Sequence, residues 1–361
     1  MKIALIGRYG EGDIVAGPER VARELFSELK KNDLQVVFIE YFFSGYYSSS
    51  IYKKLFGREF INNKVYRLGV VHLFVMLFKE RFTVVHIVNS QRFILFLFLF
   101  KLFIKSKIVA TLHGYIKYEI PEKNYLIKRY FIDLWVESLI VKKSDLLIFP
   151  SGLLFETFSR YGKIPVGRYK IIPNGISSTF YNQSKSFPPI RNSLKLVFYN
   201  GFSSSINKGL GELIELLRDV KNKIELYVIG KKAKVNSYGN IKIFYVGQKA
   251  HNELIDFLRD KHFVIKSPAF EPFSIIIAEC MSLGLIPIVN ENVGIKSFIE
   301  HKTNGFIYDS SSSNDLAELL DDIYDYKYDL NMISGNAKKI YERLNWLNIA
   351  KQYMTAYKSV L

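Results

Sequence analysis

The stretch AFEPFSIIIAECMSLGLIPIV, residues 269–289, decides how the rest of the chain is interpreted. It places Glu271 and Glu279 on either side of seven residues. Four of those seven, residues 275–278, form an unbroken apolar run, which is typical of a buried helix. The stretch therefore predicts a buried helix that carries one carboxylate and has a second carboxylate on the loop before it.

The ends of this predicted helix are marked by Ser274 and Gly284. A serine hydroxyl can accept a hydrogen bond from an orphan amide at a helix N-terminus, and glycine suits the left-handed position after a helix. Residues 285–290 then read as a strand. Glu279 lies among residues that favour the interior, where a carboxylate is costly unless it is paired or hydrogen-bonded. One interpretation is that Glu279 pairs with a lysine or arginine from a neighbouring element.

The start of the helix offers a second interpretation, a ligand site. The amides of Phe273, Ser274 and Ile275 precede the first intrahelical hydrogen bonds, and the positive end of the helix dipole favours an anion there. A ligand with a phosphate at the helix start and hydroxyls within reach of a carboxylate would satisfy both features. A nucleotide sugar is such a ligand.

Length, charge and cysteine content narrow the class of protein. A chain of 361 residues is long for one core, and 49% hydrophobic residues supply enough material for two. Lys and Arg exceed Asp and Glu by 50 to 34, which favours anionic partners such as phosphorylated substrates, a membrane surface or nucleic acid. Cys280 is the single cysteine, which fits a reducing cytosol, and we interpret it as a packing residue. The apolar run at the N-terminus is too short for a signal peptide.

The first half of the chain reads as a doubly wound α/β domain. Lys2–Ile6 is a predicted strand, residues 7–20 (GRYGEGDIVAGPER) form a glycine-rich loop, and Glu19–Leu29 has a helical pattern. Further buried strands are predicted at Gln35–Glu40, Val84–Val88, Lys107–Leu112, Asp145–Phe149 and Lys170–Ile172. His113 follows one of these strands, at the edge where open parallel sheets bind ligands.

Two apolar segments can be interpreted either as core-packed helices or as a surface that contacts a membrane. Arg92–Lys105 is expected to be a crossover helix, because parallel neighbouring strands need one, and it is too short to span a bilayer. Its aromatic and lysine content, like that of residues 68–82, also suits an interfacial membrane surface. A core-packed helix whose lysines reach out to water explains the same composition.

The second half repeats the alternation of strands and helices. Residues 181–192 are polar and contain two adjacent prolines, so they are the best candidate for a linker. Strands are predicted at Lys195–Tyr199, Glu225–Ile229, Lys242–Val246, Phe263–Lys266 and Ile286–Val289. We expect domains at 1–185 and 193–344 and a last helix over 345–361.

The order of motifs resembles the GT-B glycosyltransferases of family 4, retaining enzymes with a Glu-x7-Glu signature. Glu271, Phe273, Glu279 and the later Gly284 and Pro287 match that signature, while Ser274 replaces its usual glycine. The resemblance implies two doubly wound Rossmann-like domains facing across a cleft. It also implies a last helix that packs back toward the first domain.

Further matches extend the resemblance over nearly the whole chain. They are Gly17, Glu19 and Arg20 in the glycine loop, His113 with Gly114, the Pro173–Gly175 segment, and Lys208. Phe202 stands where the family has an arginine that neutralises the donor diphosphate. Loss of that cation would weaken donor binding unless Lys231 or Lys232 substitutes.

By resemblance, Glu279 grips the ribose hydroxyls of the donor, and Lys208, Gly17 and the amides of Phe273, Ser274 and Ile275 hold or approach its diphosphate. Glu271 and His113 contact the transferred sugar and are the catalytic candidates. The chain lacks an Asp-x-Asp motif and a His or Cys cluster with metal spacing, so we expect metal-independent transfer with no cofactor beyond the nucleotide-sugar donor.

The sequence thus predicts a retaining glycosyltransferase that transfers a sugar to a glycan or lipid-linked acceptor in cell-surface polysaccharide or glycolipid synthesis. We expect a cytoplasmic protein, peripheral on an anionic membrane surface. Alternatives are a GT-B-like nucleotide-sugar epimerase or phosphorylase and a non-catalytic partner subunit. A nucleic-acid-binding protein is disfavoured, because the lysines are scattered and most aromatics lie in apolar runs.

Overall fold

The computed structural model describes residues 1–10, 16–32, 34–42, 50–62, 64–89, 97–98, 104–117, 127–161, 164–200, 209–230, 232–312 and 314–361. The chain divides into two compact units. Unit 1 comprises Met1–Gly175 and Trp346–Leu361, and unit 2 comprises Ile176–Asn345. Each unit is built on one open, mostly parallel sheet, as the sequence predicted.

Unit 1 contains an eight-stranded sheet in the order β3-β4-β2-β1-β5-β6-β7-β8. Its strands are β1 (Lys2–Ile6), β2 (Gln35–Tyr41), β3 (Arg58–Asn62), β4 (Val65–Leu68), β5 (Val84–Ile87), β6 (Lys107–Thr111), β7 (Leu146–Phe149) and β8 (Tyr169–Ile171). Its helices in the described residues are α1 (Gly17–Lys31), α2 (Ile51–Phe56), α3 (Val70–Glu80), α4 (Ile127–Lys143), α5 (Gly152–Tyr161) and the last helix of the chain. All strand pairs are parallel except β3 with β4.

Helix α1 illustrates how local sequence sets an element of unit 1. Pro18 lies at its start, where proline is favoured, and Lys30 and Lys31 lie in the last turn, where they complement the helix dipole. These residues extend the helix beyond the predicted Glu19–Leu29. Its apolar face packs on the sheet through Phe26, whose ring lies 5.7 Å from that of Phe38 on β2.

Unit 2 contains a seven-stranded sheet in the order β11-β12-β10-β9-β13-β14-β15. Its strands are β9 (Leu194–Tyr199), β10 (Ile224–Ile229), β11 (Asn236–Tyr238), β12 (Ile241–Gly247), β13 (Phe263–Lys266), β14 (Ile286–Asn290) and β15 (Phe306–Tyr308). Its helices are α6 (Ser178–Asn182), α7 (Leu210–Leu217), α8 (His251–Leu258), α9 (Ile275–Leu283), α10 (Asp315–Tyr324), α11 (Leu330–Lys338) and α12 (Ile340–Leu344), with a 3₁₀ turn over Gly294–Phe298. Apolar residues at alternate positions of the strands, such as Leu194, Leu196 and Phe198 on β9, form one core with apolar residues of α7, α10 and α11.

The chain returns to unit 1 in its last helix, α13 (Trp346–Lys358). The Tyr357 hydroxyl lies 2.7 Å from Nδ1 of His86, which is fully buried on β5. The other ring nitrogen of His86 lies 2.8 Å from the Thr111 hydroxyl on β6. The last helix therefore completes a buried polar network at the centre of the first sheet.

The unit boundaries differ from the predicted ones. Residues 176–185 and Asn345 belong to unit 2, whereas the sequence placed 1–185 in the first domain and began the last helix at 345. The cause is local pairing, because the Ile176 amide donates to the Leu344 carbonyl at 2.9 Å and α6 packs on α9. Most of the predicted helix Arg92–Lys105 lies outside the described residues.

Both sheets have a point where the chain reverses its direction of strand addition. In unit 1 the first strand, β1, lies between β2 and β5, and in unit 2 the first strand, β9, lies between β10 and β13. The crevice beyond the carboxyl ends of strands at such a reversal is where open α/β sheets bind ligands. These two edges are the places to look for a functional site.

Candidate active site

The edge of unit 2 is formed by the stretch that opened the sequence analysis. Helix α9 spans Ile275–Leu283 and ends at Gly284, whose φ of 109° is left-handed, as predicted. Glu279 is 1% exposed and lies inside this helix. Cys280 is buried, and burial raises the pKa of its thiol, which fits a packing residue.

Ser274 does not cap α9 in the predicted manner. It precedes the helix, but its backbone is left-handed, with φ 74° and ψ 76°, and its side chain makes no capping hydrogen bond. A serine cap needs an extended backbone so that the hydroxyl can reach the amides of the first turn. The Ser274 hydroxyl is buried and has no hydrogen-bond partner within the described residues. A left-handed backbone also explains why glycine would suit this position.

Three backbone hydrogen bonds fix the loop before α9 to the loop after β14. The Glu271 amide donates to the Asn292 carbonyl at 2.9 Å, and the Gly294 amide donates to the Glu271 carbonyl at 2.8 Å. The Ile295 amide donates to the Phe273 carbonyl at 3.0 Å. The position of Glu271 is therefore set by backbone contacts on both sides, while its side chain stays 15% exposed.

A buried cation, Lys266, lies at the end of β13 beside this loop. Its side chain is 3% exposed, and its ammonium donates to the Tyr199 carbonyl at the end of β9 at 3.0 Å. The same ammonium lies 3.5 Å from a Glu271 carboxylate oxygen and 5.3 Å from the centre of the Phe198 ring. Sequence reasoning took Lys266 as the end of an apolar strand and missed it. The signal for a buried cation was a lysine at the carboxyl end of an otherwise apolar strand.

Gly209 brings the start of α7 against the same edge. A Cβ atom at this position would lie 1.6 Å from the Ser267 carbonyl oxygen, and its φ of 79° is left-handed, so only glycine fits. The neighbouring Lys208 and Phe202 lie outside the described residues. Of the two substitute cations that the sequence suggested, Lys231 also lies outside them. The side chain of Lys232 lies beside Gly247, at the end of β12.

The edge of unit 1 encloses a cavity of about 260 Å³ beyond β1, β5 and β6. Its polar lining comes from Arg8, Glu19, Asn89, His113 and Glu137. Arg8 pairs with Glu19 at 3.1 Å, and the Arg8 amide donates to the Asn89 side chain at 2.7 Å. Glu137, from α4, accepts from the Ile116 amide at 3.1 Å. The cavity therefore combines a cation, two carboxylates and neutral donors, which suits a ligand rich in hydroxyls.

His113 is held in one tautomer at this edge. Its Nε2 lies 2.8 Å from the Val88 carbonyl oxygen, which can only accept, so Nε2 carries the proton and Nδ1 is an acceptor. Burial lowers the pKa of His113 to about 4, and the hydrogen bond to Val88 opposes this shift only in part. The imidazole is therefore neutral at pH 7 and can accept a hydrogen bond from a hydroxyl.

The structure distributes the predicted site residues between the two edges. His113 lines the unit 1 cavity, and Gly17 lies between Ala16 and Pro18, which line it as well. Glu271, Phe273, Ser274 and Ile275 lie on the loop and the first turn of α9 at the unit 2 edge, and Glu279 is buried further along that helix. Arg8, Asn89 and Glu137 were not predicted, because each is a single polar residue in a separate segment. Within the described ranges, no group of three or more His, Cys, Asp or Glu could hold a metal ion.

Comparison with known proteins decides the family. The model of glycosyl transferases group 1 matches residues 183–340, and that of glycosyltransferase family 4 matches residues 15–180. The chain belongs to the group 1 glycosyltransferases of the GT-B fold. The fold and the family predicted from the sequence are thereby confirmed.

Several proteins and solved structures resemble this glycosyltransferase at low sequence identity. An uncharacterized glycosyltransferase of Methanocaldococcus jannaschii is 21% identical over 243 residues, which span 62% of each chain. Solved structures that match include Anabaena HepE in complex with UDP and glucose, at 17% identity and a TM-score of 0.69, covering 99% of this chain and 100% of that one. The lipopolysaccharide outer core galactosyltransferase WaaB matches at 16% identity and a TM-score of 0.69, covering 100% of both chains.

Proposed function

We propose that this glycosyltransferase transfers a sugar from a nucleotide-diphosphate donor to a glycan or lipid-linked acceptor, with retention of the anomeric configuration. The observation that carries the proposal is the unit 2 edge. There, backbone hydrogen bonds position Glu271 on the loop that leads into α9, the helix that carries the buried Glu279, and this loop follows β13 at a strand reversal. The UDP and glucose named for HepE and the lipopolysaccharide named for WaaB support a donor and an acceptor of these classes.

The donor would bind at the unit 2 edge. Its diphosphate would accept hydrogen bonds from the first amides of α9, which precede the intrahelical bonds, and from the buried Ser274 hydroxyl. Lys266 would add positive charge near the end of β9, where the leaving diphosphate becomes more negative. Glu279 would accept hydrogen bonds from the ribose hydroxyls.

The cavity of unit 1 would bind sugar hydroxyls. Neutral His113 would accept through Nδ1, while the Arg8 guanidinium would donate and the carboxylates of Glu19 and Glu137 would accept. No step in this scheme uses a metal ion, so we expect transfer to persist in the presence of a chelator.

Thermal unfolding in the presence of UDP, GDP, ADP and their sugars tests the donor site. A ligand that binds only the folded chain raises the unfolding midpoint according to its concentration and dissociation constant. We expect one nucleotide to raise the unfolding midpoint of the wild type. Glu279→Gln should weaken the binding of that nucleotide roughly tenfold or more, since hydrogen bonds to a charged group are lost. Glu253→Gln, on the exposed start of α8, is the matched control.

Turnover and stereochemistry complete the test. With the donor known, NMR of the product reports whether the anomeric configuration is retained, and an assay with and without EDTA reports metal dependence. Inversion would contradict the proposed mechanism. Nucleotide binding without transfer to any acceptor would favour the non-catalytic partner subunit, and release of an isomerised sugar nucleotide would favour an epimerase.

A further inference from the structure

A group of exposed apolar side chains in unit 1 lies apart from the residues that line the cavity. Of the large apolar side chains that are exposed in the described residues, eight fall between positions 51 and 78. They are Ile51, Tyr52, Leu55, Phe56, Phe60, Val71, Val75 and Phe78. Single exposed apolar residues are ordinary, whereas a cluster marks an interaction site. We call this cluster, carried by α2, β3 and α3, the α2–α3 surface.

Helix α2 contributes no residue to the core, although four of its six residues are apolar or aromatic. Its backbone is nevertheless fixed. The Ser50 hydroxyl accepts from the Lys53 amide at 3.2 Å, and the Gly69 amide, just before α3, donates to the Gly57 carbonyl at 2.7 Å. A Cβ atom at Gly69 would lie 2.7 Å from the Leu55 carbonyl oxygen. Helix α2 is therefore held closely against the start of α3 and presents its side chains outward.

Helix α3 is apolar on two sides. Leu73 and Leu77 are buried and anchor the helix to unit 1. Val71, Val75 and Phe78 follow the spacing i, i+4 and i+7, which places them on one face, and all three are exposed. An amphipathic surface helix would carry polar residues on that outward face. Helix α3 therefore adds exposed apolar residues to those of α2, against which it packs.

Positive charge flanks these apolar residues. The segment carries Lys53, Lys54, Arg58, Lys64, Lys79 and Arg81 on α2, β3, the β3–β4 turn and the end of α3. Its acidic residues are Glu59, which pairs with Lys53 and Arg67, and Glu80, which pairs with Lys2. The excess of cations remains after this pairing.

We propose that the α2–α3 surface binds an anionic lipid bilayer. The aromatic and aliphatic side chains would enter the boundary between headgroups and acyl chains, and the lysines and arginines would contact lipid phosphates. The abundance of lysine favours a bilayer over a protein partner, because lysine is depleted from protein interfaces. Across the described residues, no helix has the length and hydropathy needed to cross a membrane, so binding would take place at the interface.

Vesicle sedimentation with the full chain tests the proposal. We expect binding to vesicles that contain phosphatidylglycerol, weaker binding to phosphatidylcholine alone, and loss of binding as salt is raised. Phe78→Asp should weaken binding to the anionic vesicles roughly tenfold or more, because an aromatic side chain that would enter the bilayer is lost and a negative charge is added. Lys79→Glu should weaken the same binding and reduce its salt dependence.

The matched control is Phe131→Asp. Phe131 is an exposed phenylalanine on α4 of the same unit, 62% exposed against 67% for Phe78, so both substitutions should leave folding intact. An equal loss of binding in both variants would overturn the assignment to the α2–α3 surface. Absence of binding to anionic vesicles at low salt would overturn the proposal. A dimer that Phe78→Asp dissociates, without vesicle binding, would identify a protein interface instead.

The proposal is independent of the donor site. Glu279→Gln should bind anionic vesicles as the wild type does, whether or not it binds nucleotide. Vesicle binding without nucleotide binding would leave this proposal standing and remove the proposed function. Nucleotide binding and transfer without vesicle binding would do the reverse.

Discussion

The two sheet edges of this glycosyltransferase are built in different ways. In unit 2 the chemical groups lie on consecutive parts of the chain, namely the end of β13, the loop after it and α9, and backbone hydrogen bonds on both sides of Glu271 hold that loop. In unit 1 the groups come from separate segments, and side-chain contacts such as Arg8 with Glu19 and Arg8 with Asn89 connect them. The first edge is positioned by its backbone and the second by its charges. Substitutions that disturb the backbone should therefore reduce stability most at the first edge, and protonation of side chains should reduce stability at the second.

The largest effect is expected from Gly209→Ala. The new Cβ would overlap the Ser267 carbonyl oxygen, and the backbone is left-handed, so the edge of β13 must move. We expect the free energy of unfolding to fall by about 3 kcal/mol or more, measured by denaturant titration. Gly211→Ala, within α7 and with open space around its Cβ, is the control and should be neutral or stabilising by about 0.5–1 kcal/mol. Equal stability of the two variants would contradict the close approach.

Lys266→Met tests whether charge also matters at the backbone-positioned edge. The substitution keeps the volume but removes the cation between Glu271 and the Tyr199 carbonyl. Removal of one partner of a buried pair costs about 3–5 kcal/mol, and the partial exposure of Glu271 should keep the loss near the lower end. We also expect weaker binding of the donor nucleotide, measured by thermal shift.

The double variant Lys266→Met/Glu271→Gln separates the two roles of Lys266. If the lysine only neutralises Glu271, the double variant should recover both stability and nucleotide binding. If it also contacts the diphosphate, stability should recover while nucleotide binding stays weak. Full nucleotide binding by the single variant would exclude Lys266 from the donor site.

The edge of unit 1 should respond to pH through His113. Burial lowers its pKa in the folded chain to about 4 from an ordinary value of 6.5. The unfolded chain therefore binds this proton more readily, so stability is intact above pH 6.5 and is lost as the pH falls from 6.5 toward about 4. The slope from this group should be at most about 1.4 kcal/mol per pH unit.

His113→Gln isolates that contribution. His86 titrates in the same direction, since burial lowers its pKa to about 3, with His113 as a smaller cause, so the slope should decrease without vanishing. Denaturant titrations of the wild type and the variant across this pH range give the difference. Identical slopes would show that His113 is not buried as a neutral ring.

The smallest effect is expected at Ser274, which combines a left-handed backbone with a buried hydroxyl. Ser274→Gly should relieve the left-handed backbone and remove a buried hydroxyl, and should stabilise the chain by about 1 kcal/mol. Ser274→Ala keeps the strained backbone and should gain less. Weaker nucleotide binding in both variants would indicate that the hydroxyl contacts the donor. Unchanged binding in both would remove the hydroxyl from the donor site.

The difference between the edges also decides what the sequence could predict. Helix α9 was predicted almost to the residue, because an apolar run ending in Gly284 is a local signal. The strands that the sequence predicted have ends within one or two residues of the observed ones for the same reason, whereas β3, β4 and β11 were not predicted. His113 was placed at the edge of the first sheet because it directly follows a strand with a clear local pattern, and it lines the cavity there. The role of Ser274 as a cap was predicted wrongly, since its residue type favours capping but its backbone conformation does not.

The site residues that the sequence missed could be predicted only by knowing which segments meet in space. Arg8, Asn89 and Glu137 are separated in sequence by whole strands and helices, and each looks like an ordinary polar residue in its own segment. Lys266 looks like the end of a strand until the pairing of β13 with β9 places it beside the Tyr199 carbonyl. Sheet order supplies this information, and a single sequence does not state sheet order.

The return of α13 to unit 1 has a consequence for synthesis. The contact between His86 and Tyr357 joins residues 271 positions apart, and all of unit 2 lies between them. On the ribosome, Ile176–Asn345 emerges as one continuous piece that contains its whole sheet, whereas His86 has no Tyr357 to contact until that piece has been made. The part of the chain that is translated first is thus the part that finishes folding last.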